Sequence, residues 1–192
     1  LGRTFQYKNN GAPSHPAPSP PAIAPVGAPA RDIIHALLQH LPDIAPAGRA
    51  AAARRFLAGQ ELDPAEAGAI TAETLAILDD PAFAPLFAPG SLAEAPIVGR
   101  IGDRAVNGQV DRLAVTSDAV LVADYKTNRP PPARVEDVAP LYLRQMAAYR
   151  AVLRRIFAGR TVRCALVWTY AARLMPLPDA VMDAHAPDAG EG

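Results

Sequence analysis

The chain has little cysteine and no long hydrophobic run. A single cysteine, Cys164, can form neither an internal disulfide nor a four-cysteine zinc or iron–sulfur site, which favours a reducing compartment. No apolar run approaches the ~20 residues that a membrane-spanning helix needs, and the N-terminus lacks the charged-then-apolar order of a signal peptide. We therefore expect a soluble, cytoplasmic protein, and the 50% apolar composition of its 192 residues is enough to form a core.

The chain also lacks net charge, but its charges are unevenly distributed. Residues 100–160 carry eleven Arg and Lys residues against six acidic residues, a local excess of +5. A basic surface beside acidic ligands suits a polyanionic substrate held near a divalent cation. A solvated face with charges of both signs explains the same counts, so charge alone does not decide between the two interpretations.

Composition and apolar periodicity divide the chain into three parts. Residues 1–30 hold seven prolines and no acidic residue, and we expect them to form a disordered leader. Residues 31–182 are the predicted folded domain. The small and polar residues 183–192 are expected to form a flexible tail.

Within the folded part the apolar period changes from helical to strand-like. The helical spacing predicts helices over residues 31–41, two within 46–78 and one over 138–157. An antiparallel meander of three strands is predicted over residues 93–101, 104–115 and 119–125. A further buried strand over 161–169 follows the last helix.

Two carboxylates and a lysine occur near the ends of neighbouring predicted strands. Side chains alternate along a strand, so Asp124 and Lys126 lie on the same face of the third strand. If the second and third strands pair about the turn near Ser117, Asp111 lies close to Asp124. Converging carboxylates repel each other unless a cation joins them, and Mg²⁺ or Mn²⁺ prefers such oxygen ligands. A strand end that leaves the core for solvent explains each residue taken singly.

Three motifs carry a resemblance to a known nuclease family. They are Gly-Gln-Val-Asp-Arg-Leu at 108–113, Asp-Tyr-Lys-Thr at 124–127 and Gln-Met-Ala-Ala-Tyr at 145–149. In this order they resemble the RecB-type branch of the PD-(D/E)XK nucleases. Together with residues 128–131 and 164–169, they are most similar to the C-terminal nuclease domains of AddA-type helicase-nuclease subunits, which act in bacterial double-strand-break repair.

The resemblance covers about residues 31–182 and implies both a fold and an activity. The implied fold is an α/β, restriction-endonuclease-like PD-(D/E)XK core with a mixed sheet flanked by helices and an N-terminal helical layer. The implied activity is that of a DNA nuclease that depends on Mg²⁺, with Mn²⁺ as an alternative, and an exonuclease is favoured over an endonuclease. The implied partners are DNA, an AddB-type subunit and the helicase part of AddA, in a cytoplasmic, nucleoid-associated complex.

The same resemblance implies roles for individual residues. Lys126 orients or deprotonates the attacking water, and the metal ligands are His35, Asp111, Asp124 and the Tyr125 backbone carbonyl. Residues that support the site or contact DNA are Gln145, Tyr149, Arg112 and Arg129. Core packing explains Tyr149 equally well, and His40 competes with His35 as the ligand. Glu94 fits either a position near the metal or an exposed strand start.

Other functional classes stay open from the sequence. The alternative is a non-catalytic DNA-binding or subunit-docking module of the same fold, although such a module does not need Asp111, Asp124 and Lys126 together. A small-molecule enzyme with an unrelated metal site is weakened by the arginines that follow Lys126. The chain contains no G-x-x-x-x-G-K-[ST] phosphate loop, so we expect no ATPase or helicase within it. A natural short protein and a fragment of a longer helicase-nuclease both fit a chain that begins with Leu.

Overall fold

A five-stranded sheet organises residues 28–187, the part of the chain that the computed structural model describes. Its strands are β1 (Leu92–Ile101), β2 (Arg104–Val115), β3 (Ala119–Lys126), β4 (Thr161–Trp168) and β5 (Arg173–Leu177). Each strand pairs with the next one along the chain. The β3–β4 pair is parallel and the other pairs are antiparallel, so the expected mixed sheet is confirmed.

Helices cover both faces of this sheet. They are α1 (Ala28–His40), α2 (Pro46–Leu57), α3 (Pro64–Asp79), α4 (Pro140–Ile156) and α5 (Asp179–Ala184), with a 3-10 helix over Pro81–Phe87. One apolar core lies between the sheet and α4, and a second lies between the sheet and the layer formed by α1, α2 and α3. The expected N-terminal helical layer is confirmed. No helix within residues 28–187 is long and apolar enough to cross a membrane.

Strand β3 is buried on both sides, which explains its nearly continuous apolar sequence. Val120 and Val122 belong to the core beneath α4, whereas Ala123 and Tyr125 belong to the core beneath α1, α2 and α3. Helix α4 then returns the chain to the start of β4, the kind of crossover that a parallel pair requires. The end of β3 therefore lies between the two helical layers.

The boundaries of the folded part differ slightly from those expected. Residues 1–27 of the expected leader and 188–192 of the expected tail lie outside the described residues. Helix α1 begins at Ala28, before the expected boundary at Arg31. Helix α5 continues to Ala184, two residues into the expected tail.

Strand β5 was not predicted from the sequence. Its five residues, Arg-Leu-Met-Pro-Leu, are few, and Pro176 argues against a strand because it cannot donate a ladder hydrogen bond. The sheet tolerates Pro176 because β5 is an edge strand, paired with β4 alone among the described strands.

Candidate active site

Three acidic residues occupy one row across adjacent strands. In the β1–β2 register the pairs Ala93–Arg112 and Ala95–Val110 flank Glu94 and Asp111. The β2–β3 register pairs Arg112 with Ala123, one residue from Asp111 and one from Asp124. All three line one cleft of about 360 Å³, together with residues from α1 and α4. The row concentrates negative charge at the point where β3 ends between the helical layers.

The backbone around this row is specifically shaped. Glu94 has a φ of 50°, in the left-handed region that residues other than glycine rarely adopt, and such strain is commonest at functional sites. Its carbonyl oxygen accepts a hydrogen bond from Gln109 Nε2 at 2.8 Å. Asp111 Oδ2 accepts the Tyr125 backbone N–H at 2.5 Å, which ties the β2 carboxylate to the end of β3.

His35 on α1 faces the row from the opposite layer. Its Nδ1 lies 3.3 Å from Asp111 Oδ1, and its ring meets the Tyr125 ring edge-on at 5.5 Å between centroids. His35, Glu94 and Asp111 each offer one ligand atom, and these atoms lie within 4.8 Å of one another. Among residues 28–187 the buried His35 Nε2 has no hydrogen-bond partner. This donor set of nitrogen and oxygen fits a divalent cation such as Mg²⁺ or Mn²⁺.

Asp124 and Lys126 form an ion pair beside this group. Lys126 Nζ donates to Asp124 Oδ2 and also to Gln145 Oε1, the latter at 3.3 Å. The ammonium lies 4.1 Å from the centroid of the Tyr142 ring. The Asp124 and Lys126 side chains are only 6% and 12% exposed, so a loss of either partner would leave a buried charge uncompensated.

A chain of hydrogen bonds holds Lys126 from α4. Gln145 Nε2 donates to the Tyr149 hydroxyl at 3.1 Å, and that hydroxyl donates to the Gln109 carbonyl at 3.1 Å. Tyr149 is 1% exposed and belongs to the core beneath α4, so it both packs and supports the site. A Cβ at Gly108 would lie 2.6 Å from the Tyr149 hydroxyl, which explains a glycine in the strand there.

The residues that line the cleft carry more negative than positive charge. Burial raises the pKa of Glu94, and the charge of Asp111 raises it further. Burial also raises the pKa of Asp124, although the Lys126 ammonium opposes this shift. Burial lowers the pKa of His35, but its hydrogen bond and charge interaction with Asp111 outweigh burial, so the net pKa is raised. A bound cation would relieve this repulsion among carboxylates.

Three sequence candidates lie outside the cleft lining. Arg112 is buried: its Nε donates to the Leu86 carbonyl at 3.2 Å, and its guanidinium lies over the Phe87 ring. Arg129 pairs with Glu73 at 2.7 Å. His40 is exposed at the end of α1. The cleft brings together the remaining candidates, which are His35, Asp111, Asp124, Tyr125, Lys126, Gln145 and Tyr149.

Sequence reasoning left Glu94 undecided and overlooked Gln109 and Tyr142, which also line the cleft. The strand alternation offered a signal for Gln109, because it stands two residues before Asp111 and so shares its strand face. Tyr142 stands three residues before Gln145, a spacing that brings side chains together on a helix. No pattern in the sequence alone indicated a site role for Glu94, because its closeness to Asp111 depends on how β1 pairs with β2.

The cleft lies within a part of the chain that matches a known protein family. Residues 28–172 match the family model of the PD-(D/E)XK nuclease superfamily. The chain belongs to this superfamily. The matched range contains every residue that lines the cleft, and PD-(D/E)XK nucleases generally use divalent metals, in agreement with the donor set found here. A comparison with curated proteins found no match.

Proposed function

We propose that the domain is a divalent-metal-dependent deoxyribonuclease that hydrolyses phosphodiester bonds. The observation that supports this most strongly is the convergence, in one cleft, of the carboxylate row with His35 on one side and Lys126 on the other. A purely DNA-binding module has no need for three carboxylates in its cleft, because they repel the phosphates of DNA.

The proposed metal ligands are His35, Asp111, Asp124 and the Tyr125 carbonyl, with Glu94 added from its place in the row. These residues would hold a divalent ion, which would polarise a phosphate as a Lewis acid and would lower the pKa of a water bound to it. Asp111 also orients the end of β3 through the Tyr125 N–H. The His35 ring is held at the row by Asp111 and by its edge contact with Tyr125.

We assign Lys126 the role of orienting the attacking water or of stabilising the negative charge that develops on the phosphate. An ammonium has three N–H donors, and the described contacts with Asp124 and Gln145 use two of them. The third, on an ammonium that also lies over the Tyr142 ring, is the proposed donor to a water or a phosphate oxygen. Gln145 and Tyr149 are positioning residues, because they act on the cleft through Lys126.

We further propose that this nuclease is the AddA-type domain of an AddAB helicase-nuclease, acting as an exonuclease in double-strand-break repair in the bacterial cytoplasm near the nucleoid. The order and wording of the three motifs support this assignment. Co-purification with an AddB-type subunit tests it. A chain that neither binds such a subunit nor gains ATP-dependent duplex degradation with a helicase region would contradict it.

Cleavage of end-labelled linear DNA tests the nuclease proposal. We expect the chain to degrade DNA with Mg²⁺ or Mn²⁺ but not with EDTA, and Asp111→Asn to lose the activity. The matched control is Asp103→Asn, which alters a fully exposed Asp in the β1–β2 turn and should leave cleavage unchanged. Folded wild-type protein that binds DNA without cutting it under any metal condition would favour the non-catalytic alternative.

A further inference from the structure

An exposed aromatic side chain, Tyr170, lies outside the cleft lining but contacts Arg129, the residue that follows the lining residue Asn128. Tyr170 is 54% exposed and lies in the 3-10 turn Thr169–Ala171 that follows β4. The parallel register pairs Lys126 with Trp168, so this turn leaves the sheet at the edge where β3 ends. Thr169 Oγ1 lies 3.5 Å from the Lys126 carbonyl oxygen. Tyr170 is therefore a close neighbour of the strand end that carries the proposed catalytic lysine.

A buried carboxylate fixes the surroundings of Tyr170. Glu73 on α3 has a side chain only 7% exposed. One of its oxygens accepts from Arg129 Nη2 at 2.7 Å, and the other accepts from Thr169 Oγ1 at 2.5 Å. The same carboxylate thus holds both the arginine that follows β3 and the turn that carries Tyr170.

Arg129 in turn supports the Tyr170 ring. Its guanidinium carbon lies 4.6 Å from the ring centroid, within the range of a cation–π contact. Because Glu73 balances the charge of Arg129, the guanidinium acts here as a planar support for the ring. It is poorly suited to serve as a free phosphate ligand.

The turn that carries Tyr170 ends in a residue with an unusual backbone conformation. Ala172 has a φ of 43°, in the left-handed region, and its N–H closes the turn on the Thr169 carbonyl at 3.1 Å. Strained residues other than glycine persist where the surroundings determine them, and they are commonest at functional sites. Tyr170 is consequently an exposed ring that this turn and the Arg129 guanidinium hold at the edge of the sheet where β3 ends.

We propose that Tyr170, supported by Arg129 and Glu73, is a stacking platform for an unpaired nucleobase of the DNA that enters the cleft. The inference rests on the proposed nuclease function and adds a residue that would bind an unpaired base of a single strand or a frayed end. Aromatic rings stack on bases of any sequence, whereas the bases of an intact duplex are already stacked on each other. Tyr170 is a substrate-binding residue, and the proposed chemistry remains with the cleft.

Binding of fluorescent DNA by the full chain tests the platform. All proteins carry Lys126→Ala to prevent cleavage, and the probes are a single strand containing 2-aminopurine and a blunt duplex of the same length. We expect Tyr170→Leu to weaken single-strand binding about tenfold and to abolish the quenching of 2-aminopurine by stacking. Tyr170→Phe should retain both, and duplex affinity should not change.

A matched control is Phe56→Leu, which removes an exposed aromatic ring from α2. It should leave binding of both DNA probes unchanged. The platform is refuted if Tyr170→Leu binds and quenches the single strand as its parent does, or if it weakens single-strand and duplex binding equally. Failure of the proposed nuclease function looks different, because the wild-type chain would then cut no DNA with any metal.

Discussion

A single methyl group at position 108 should disturb the site without touching any proposed ligand. The Cβ of Gly108→Ala would lie 2.6 Å from the Tyr149 hydroxyl oxygen and 2.7 Å from its Cε1, well inside ordinary van der Waals contact. The Tyr149 ring is 1% exposed and is pinned by hydrogen bonds to Gln145 and Gln109, so it cannot swing into solvent. Either the ring or strand β2 must shift.

The size of the effect follows from overpacking. Forcing extra carbon into a packed core typically costs ~1–3 kcal/mol of unfolding free energy. For a domain of this length that corresponds to a fall in Tm of about 2–12 °C. The displaced Tyr149 also shifts Gln145, which holds Lys126. A misplacement near 1 Å in a catalytic group can cost about 100-fold in rate, so we expect a loss of about 10- to 100-fold in kcat.

Gly99→Ala is a matched control for this prediction. Its Cβ would lie 2.7 Å from Val152 Cγ1, in the same interface between the sheet and α4 but away from the cleft. Both variants should lower Tm by similar amounts in thermal unfolding, while only Gly108→Ala should lose nuclease activity at a temperature where both are folded. Equal activity in the two variants would refute the proposed coupling from Tyr149 to Lys126.

Three further predictions concern other parts of the molecule. Gln145→Leu removes the acceptor for Lys126 and the donor to Tyr149. The value of kcat should therefore fall about tenfold or more, while the metal affinity measured by calorimetry is retained. A loss of metal affinity as large as the loss of kcat would count against a positioning role. Burial raises the pKa of the Cys164 thiol to about 12, so iodoacetamide at pH 8 should label it only as urea unfolds the chain, and fast labelling of native protein would contradict its burial. A hydrogen bond from Arg150 holds the pKa of Asp183 below its usual range. In urea unfolding the wild type should therefore be more stable than Asp183→Asn near pH 7, and the difference in the free energy of unfolding should shrink below pH ~4. A difference independent of pH would refute the ion pair.

The sequence was sufficient where a regular period decided the structure. Strand alternation predicted that Asp124 and Lys126 share a face, and they form an ion pair. The short turn between β2 and β3 limited the possible registers, which is why Asp111 could be expected beside Asp124. These local rules suffice because the strands are neighbours in sequence as well as in space.

The sequence was insufficient where contacts join distant segments. No pattern in the sequence indicated that the Arg150 side chain would be only 4% exposed and would pair with Asp179 and Asp183 on α5. Glu73 and Arg129 meet across 56 residues of sequence, through the docking of α3 against the turn after β4. No periodicity encodes such pairs, because they depend on how whole layers pack.

Metal binding and DNA cleavage, measured side by side on the same preparations, test the central claim most directly. The wild type should bind Mn²⁺ in a calorimetric titration and cut DNA with that metal, and Asp111→Ala should do neither while remaining folded. Lys126→Ala should bind Mn²⁺ but fail to cut, because an ammonium is not a metal ligand. Folded Asp111→Ala that binds the metal and cleaves DNA as the wild type does would contradict the proposed metal-dependent nuclease site.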